Sequence, residues 1–553
     1  MAKATRYTPE LIDEYVRQGY WDNTTLSDLW ERNARRYPDA EALVDARNRL
    51  TWSQAGVWID KLALGLMERG IKKDDLIASQ LPNCIELCLL RVACEKAGIM
   101  FLPAMPNLRR SEMEFMLKRS KAKAIIIPWE SRKINYFDMV QEMRPSLPHL
   151  EHVFVVGDRV PPGTISLDEI LRRPWEGRYP PGYPEETRCP PTKIYLLLHT
   201  TGSTGFPKLV EFPICCRICS NKDQIQVFKL TQNDTTAILG PALAGPNNVP
   251  NFTAPDVGAR IVILDHFSPE AAMELIDREK ITFISVVPAQ LMMMLEHPRL
   301  PEYALSSVRY WYSVGAPLPY NVARDIEKKM GGTVIIGYGL TDWGGMTLTP
   351  PELPPEIRLK PSGKPIWGTE IKIVDDTGQD APQGETGEVW GRGPCCSSGY
   401  YGDPEATRQA WTEDGWFRTG DLGVIDERGN LAIVGRKKDM IIRGGSNIYP
   451  IEVENLLITH PKVLDVAIVK MPDAVMGEKA CAYVVPRPGQ DITFDEMIAF
   501  LKAKDIALYK LPERLEIVDA LPMAGGGQKV DKKVLEKDIA EKLMILNSKF
   551  WIN

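Results

Sequence analysis

The residues best suited to chemistry stand at 196–208, LLLHTTGSTGFPK. The run Ile194–His199 reads as a hydrophobic strand. It leads into Thr200, Thr201, Gly202, Ser203, Thr204 and Gly205, and Pro207 and Lys208 close the segment. Glycines let a backbone curl until successive amide N–H groups converge on an anion, and hydroxyls add further donors. Phosphate binding is the chemistry such a loop suits. The pattern is not the common nucleotide loop, because GxxxxGK[ST] is absent and a proline precedes the lysine. The adjoining residues LVEF (209–212) read as a strand, so no helix dipole assists. The same residues also read as a hydroxyl-rich hairpin turn. From this segment alone both readings stand.

Seven further segments occur in order: SVGAPL (313–318), GYGLTDWGG (337–345), GETGEVWGRG (384–393), GYYGDPEAT (399–407), GWFRTGDLG (415–423), GRKKDMIIRGGSNIYPIEVE (435–454) and GGQKVDKKVL (526–535). With the loop, and with YWDNTTLSDLWERNARRYPDAEALVD and LPNCIELCLLRVACEKAGIMFLP upstream, they resemble the adenylate-forming superfamily. That superfamily includes acyl-CoA synthetases, aryl-acid ligases, non-ribosomal adenylation domains and firefly luciferase, and the upstream segments resemble its aryl-acid branch. The resemblance spans nearly the whole chain. It implies an AMP-forming carboxylate–CoA ligase, an acyl-CoA synthetase that makes an acyl-adenylate with release of pyrophosphate and then an acyl-CoA thioester. ATP, CoA and a small carboxylic acid are the implied partners, and Mg²⁺ the implied metal. Three other readings stay open: an aryl-acid–AMP ligase loading a separate carrier protein, a degenerate adenylate-binding protein without ligase activity, and a luciferase-like oxygenase.

The resemblance also assigns residues. Carboxylate activation is in-line attack on the α-phosphorus of ATP, where positioning and electrostatics supply most of the catalysis. The 200–208 loop would hold the β- and γ-phosphates, and Thr341 would bond the α-phosphate. Asp342 stands where the family usually has a glutamate that helps hold Mg²⁺; it keeps the charge but is one methylene shorter. Gly315, Ala316 and Pro317, with the ring of Tyr338, match the adenine-binding segments. Asp421 would accept the ribose hydroxyls, with Arg436 as a second contact, although an aspartate in a glycine turn is ordinarily turn chemistry. Lys529 matches the lysine that bridges substrate carboxylate and α-phosphate. The sequence reads Gly-Gln-Lys where Gly-Lys is usual, so Lys532 and Lys533 are alternatives, and a solvated lysine in a charged tail is the plainer reading. Lys438 matches the family hinge, and Gly444 and Gly445 the passage for the CoA arm, while Lys437 reads as a solvated turn residue. In GPALAGPNNVP (240–250), Ala244 and Gly245 fall where aryl-acid relatives carry His-Asn. A hydroxylated benzoate would lose a partner there. An unsubstituted alicyclic or aromatic acid of benzoate size is the expected substrate.

These residues must be positioned by layered elements. Residues 51–104 read as helix, strand, apolar helix and strand, and 122–128 and 152–156 as further buried strands, an alternation that predicts α/β layers with largely parallel sheets. The Pro/Arg-rich stretch 172–191 reads as a surface connector. A second α/β run is expected from Ile194 to about Pro350, and a small β-barrel over 362–436, where glycines separate short strands. After Arg436 the pattern resets into a compact α+β unit. The expected division is a large N-terminal domain, 1–437, of two α/β subdomains and the barrel, then a small mobile C-terminal domain, 438–553, hinged at Lys438.

At 553 residues, 44% hydrophobic and 25% charged, the chain is too long for one core. A net charge of −6 gives no electrostatic footprint for nucleic acid. No segment approaches the roughly 18 apolar residues of a membrane span. No secretory leader or lipidation signal is evident, and a cytoplasmic protein is expected. The ten cysteines lack a disulfide framework. Cys84, Cys88 and Cys94 read as core residues. The cluster Cys215, Cys216 and Cys219 lacks a His pair or CxxC to complete a metal site.

Overall fold

The computed structural model describes residues 5–175, 187–200, 207–243, 245–360, 363–473, 475–524 and 529–550. They form an α/β protein in two compact units, 1–370 with 392–416, and 371–391 with 417–553.

Two sheets build the first unit. One takes, in order, Leu209–Pro213, Ile194–His199, Met100–Pro103, Leu76–Ser79, Ala124–Pro128, His152–Val156 and Ile165–Ser166. Its pairings are parallel except for the hairpin of the first two strands. Helices cover these strands, so Leu76–Ser79, Met100–Pro103 and Ile194–His199 are buried throughout and read as unbroken apolar runs. The covering helices carry explicit start signals. Trp52–Glu68 begins at Thr51 with a capping box to Gln54, and it packs on Ile85–Lys96, every residue of which is buried.

The second sheet has a parallel centre of Thr333–Leu340, Tyr310–Ser313, Phe283–Val286, Thr235–Ile238, Arg260–Ile263 and Glu41–Val44. Its core includes Val286, Trp311, Ile326, Val334 and Leu291. The α/β layering expected from the alternating pattern is present, with one change in assignment. Ile194–His199 joins the sheet of the first run, whereas Glu41–Val44, earlier in the chain, joins the second. Periodicity reveals a buried strand; it does not say which sheet accepts it.

The expected barrel over 362–436 is, among the described residues, a four-stranded sheet ordered Glu370–Val374, Gly387–Arg392, Phe417–Ile425 and Leu431–Arg436. Among the described residues its two end strands are not paired with each other, so the sheet is open there. Most of it groups with the C-terminal unit, so the compact units do not divide at 437/438. The rest of that unit is the expected α+β arrangement. Val463–Asp473 and Gly477–Pro486 form its long antiparallel pair, joined by Ile441–Arg443, Ser446–Ile448 and Arg514–Ile517. Helices Pro450–Leu457 and Phe494–Ala503 contribute Val453, Leu457, Met497 and Leu501 to its core. Among the described residues no helix is long and apolar enough to cross a membrane.

Candidate active site

In the first unit the candidate segments leave the carboxyl ends of parallel strands, where open α/β sheets bind ligands. The 200–208 segment comes directly after Ile194–His199. The Thr200 N–H donates to the Lys208 carbonyl at 3.0 Å, and the Lys208 N–H to Thr200 Oγ1 at 3.2 Å, closing the base of a hairpin. Thr201, Gly202, Ser203, Thr204 and Gly205 lie outside the described residues. His199, just before the loop, is a buried histidine whose pKa burial pushes down to about 4, so its ring is neutral at pH 7. Its Nε2 accepts the Met105 N–H at 3.3 Å.

Gly315, Ala316 and Pro317 come after Tyr310–Ser313 and are exposed. Gly315 has a φ of +90°, which a side chain would strain. Tyr338, Thr341 and Asp342 lie on and after Thr333–Leu340. That strand turns back on Gly344–Leu348 so tightly that a methyl group at Gly339 would strike the Gly344 carbonyl. Trp343 is fully buried and anchors the turn, which leaves Thr341 and Asp342 half-buried at its tip.

Lys208 and Asp342 are joined through a residue the motifs alone did not single out. The Tyr400 hydroxyl donates to Asp342 Oδ1 at 2.6 Å, and Lys208 Nζ lies 4.4 Å from the centre of the Tyr400 ring. Burial, and then the Asp342 charge, push the Tyr400 pKa well up, so the phenol remains a donor. The ring face attracts the ammonium, and both ends of the tyrosine are therefore engaged. Its place in GYYGDPEAT was the available signal. A hydrogen-bonded carboxylate here fits Mg²⁺, which takes one or two protein carboxylates and fills its shell with water and substrate phosphates.

The 240–250 segment, expected at the acid end, is described except at one residue. Ala244 lies outside the described residues. At Gly245 a methyl group would meet no heavy atom of the described residues within 4 Å, and the same holds at Gly345, so among the described residues both border open space. Polar atoms are nevertheless present. The Asn247 Nδ2 donates to the Pro241 carbonyl at 2.8 Å, while its Oδ1 is buried without a partner among the described residues.

In the second unit, Asp421 and Arg436 face each other on paired strands, with Arg436 Nε 2.9 Å from Asp421 Oδ1. Asp421 is buried to 5% exposure, so the arginine compensates a desolvated carboxylate. Lys437 pairs with Glu388 at 3.3 Å and Asp376 at 3.5 Å, so it is more than a solvated turn residue. Lys438 comes next in the short helix Lys437–Asp439, its pKa lowered by partial burial. Gly444 and Gly445 make the turn between Ile441–Arg443 and Ser446–Ile448, with φ of +54° and +86°. A two-residue hairpin with both φ positive calls for glycine on its own account. Lys529 pairs with Ala524 across a short hairpin. The backbone of 525–528 and the Lys529 side chain lie outside the described residues. Of its alternatives, Lys532 is held by Glu454 at 2.6 Å. The described cysteines are all free and buried, and no group of three His, Cys, Asp or Glu side chains among the described residues could hold a metal.

Comparison with known proteins bears on the same segments. The family described as AMP-binding enzyme matches residues 30–401, and the AMP-binding enzyme C-terminal domain matches residues 452–528. The chain is 32% identical to the medium-chain fatty-acid–CoA ligase of Escherichia coli (strain K12), over 96% of this chain and 93% of that one. It is also 32% identical to the 2,3-dihydroxybenzoate–AMP ligase of Bacillus subtilis (strain 168), over 98% of both. Its fold is similar to the anthranilate CoA ligase AuaEII in complex with anthranoyl-AMP, with a TM-score of 0.87 and 25% identity, covering 95% of this chain and 98% of that one.

Proposed function

We infer the function from one premise: this chain belongs to the family of AMP-binding enzymes, and it is an ATP-dependent ligase that activates a carboxylic acid as its adenylate. We propose that the acceptor is coenzyme A and that the acid is a small alicyclic or aromatic one. The observation that carries the reading is the linked set Lys208, Tyr400 and Asp342, beside Thr341 at the strand ends of one unit.

The substrate carboxylate oxygen attacks the α-phosphorus of ATP, forming an O–P bond, while the bond to the pyrophosphate breaks. Charge grows on the phosphate oxygens, and fixed donors aimed at that charge lower the barrier. Lys208 and the loop are proposed to hold the β- and γ-phosphates, with the Thr341 hydroxyl bonding the α-phosphate. Asp342 would hold Mg²⁺, which supplies charge neutralisation between the phosphates. Lys529 is proposed to neutralise the α-phosphate as it becomes pentavalent. Asp421 is proposed to accept the ribose hydroxyls. Gly315, Ala316, Pro317 and the Tyr338 ring would receive the adenine. In the second half-reaction the thiol sulfur attacks the acyl carbon and AMP departs. Gly444 and Gly445 would let the pantetheine arm pass close to backbone.

Relatives of equal identity act, by name, on a fatty acid and on a hydroxylated benzoate, so identity alone does not choose the acid. The compact ring is supported by the aryl-acid resemblance and by the open space at Gly245 and Gly345. The test is an acid panel of acetate, benzoate, cyclohexanecarboxylate, 2,3-dihydroxybenzoate and palmitate, each with and without CoA, scored for pyrophosphate and thioester. Ring acids of benzoate size should give the highest kcat/KM and form thioester with CoA. Preference for palmitate would overturn the ring. Adenylate made without thioester would transfer the acceptor role to a carrier protein.

A further inference from the structure

Arg217 lies on the short helix Ile214–Ile218, directly after the strand Leu209–Pro213 that leaves the phosphate loop. It is 5% exposed. Its guanidinium lies between two rings, 4.7 Å from the centre of Phe212 and 5.0 Å from that of Phe252. Among the described residues no carboxylate is within ion-pair distance, no hydrogen bond reaches the guanidinium, and its Nε is buried without a partner. Arg91, also buried, lies 4.6 Å from the centre of the same Phe252 ring and among the described residues also has no carboxylate within ion-pair distance; one of its nitrogens donates to the Asn251 carbonyl at 2.8 Å. Cys216, Cys219 and Tyr195, which lie around Arg217, cannot neutralise it, because burial pushes each of their pKa values up and keeps them protonated.

A guanidinium stays ionised in proteins, and a buried one without a counter-charge is costly. Arg217 also borders the turn that bears Asp342. A methyl group at Gly344 would meet its Nη1 at 3.2 Å, and Gly344 is two residues from Asp342 and next to Gly345, where space is open. Phe252 belongs to the helical turn Val249–Thr253 that continues the 240–250 segment. Three segments therefore converge on this cation: the helix after the phosphate loop, the turn bearing Thr341 and Asp342, and the acid-pocket segment.

We propose that Arg217 determines acid specificity, and that the acid activated by this enzyme carries a second carboxylate, which Arg217 binds at the end of the pocket remote from the adenylate. A planar guanidinium receives a carboxylate with two parallel hydrogen bonds. Such a substrate supplies the counter-charge that the protein withholds. The inference rests on the ligase reading and replaces its expectation of an unsubstituted ring. The acid is a ring dicarboxylate, activated at one carboxyl and held at the other.

Matched pairs test it on the full chain: benzoate against isophthalate and terephthalate, and cyclohexanecarboxylate against its 1,4-dicarboxylate. Binding is measured by calorimetry and activation by pyrophosphate release. The wild type should bind and activate the best diacid at least about tenfold better than its monoacid. Arg217→Met should invert that order, chiefly through a higher KM for the diacid, and Arg217→Lys should keep part of the preference. Equal or better use of monoacids by the wild type would overturn the role of Arg217 without any variant having to fold, and would leave the ligase reading intact. Tight diacid binding that Arg217→Met abolishes, with no pyrophosphate released from any acid, would uphold Arg217 and sink the ligase reading.

Discussion

Lys529 carries the sharpest demand that the proposed mechanism makes on a single side chain. If it neutralises the α-phosphate during adenylation alone, Lys529→Ala should slow acid-dependent pyrophosphate release by about 100-fold or more. The same variant should still convert supplied acyl-adenylate and CoA to thioester, measured as a separate half-reaction. Equal loss in both would remove Lys529 from its assigned step. A motif names residues without naming their partners: Asp421 and Arg436 come from separate motifs and lie on paired strands, 2.9 Å apart. Tyr400 was half legible, since its segment was recognised but its link from Lys208 to Asp342 depends on chain folded back from nearly sixty positions away. Arg217 could not be read at all. Between two cysteines and an isoleucine it looks like a helix-surface cation, and only tertiary burial between Phe212 and Phe252 gives it meaning.

At the scale of elements, the question is how one chain can serve two half-reactions. Lys438 lies between the last strand of the four-stranded sheet, Leu431–Arg436, and the first of the next, Ile441–Arg443. Its carbonyl accepts from Lys470 Nζ at 3.2 Å. Proline at 438 would fix φ and restrict the preceding residue. Lys438→Pro should therefore form acyl-adenylate at near wild-type rate while thioester formation falls by about 100-fold, as expected when a conformational step is blocked. Normal thioester turnover in that variant would remove the hinge. Elements themselves were readable where they run apolar, as in the helices and buried strands of 51–104 and the strands over 124–128 and 152–156. Closure of a sheet depends on pairing between distant strands, which a local pattern does not carry. The barrel expected from short glycine-bounded strands became an unclosed sheet for that reason.

For the whole molecule, the claim is that one chain couples ATP cleavage to thioester formation through an acyl-adenylate. The candidate residues divide between two compact units, with the phosphate loop, Tyr400 and Asp342 in the first, and Asp421, Lys438 and Lys529 in the second. The most direct measurement traces oxygen. The acid that best supports turnover is supplied with both carboxylate oxygens as ¹⁸O, together with ATP, Mg²⁺ and CoA, and the products are separated by mass spectrometry. An acyl-adenylate broken at its acyl carbon leaves one carboxylate oxygen on phosphorus, so AMP should gain one ¹⁸O and pyrophosphate none. Label in inorganic phosphate with ADP as the nucleotide product, or AMP without label, would contradict the account.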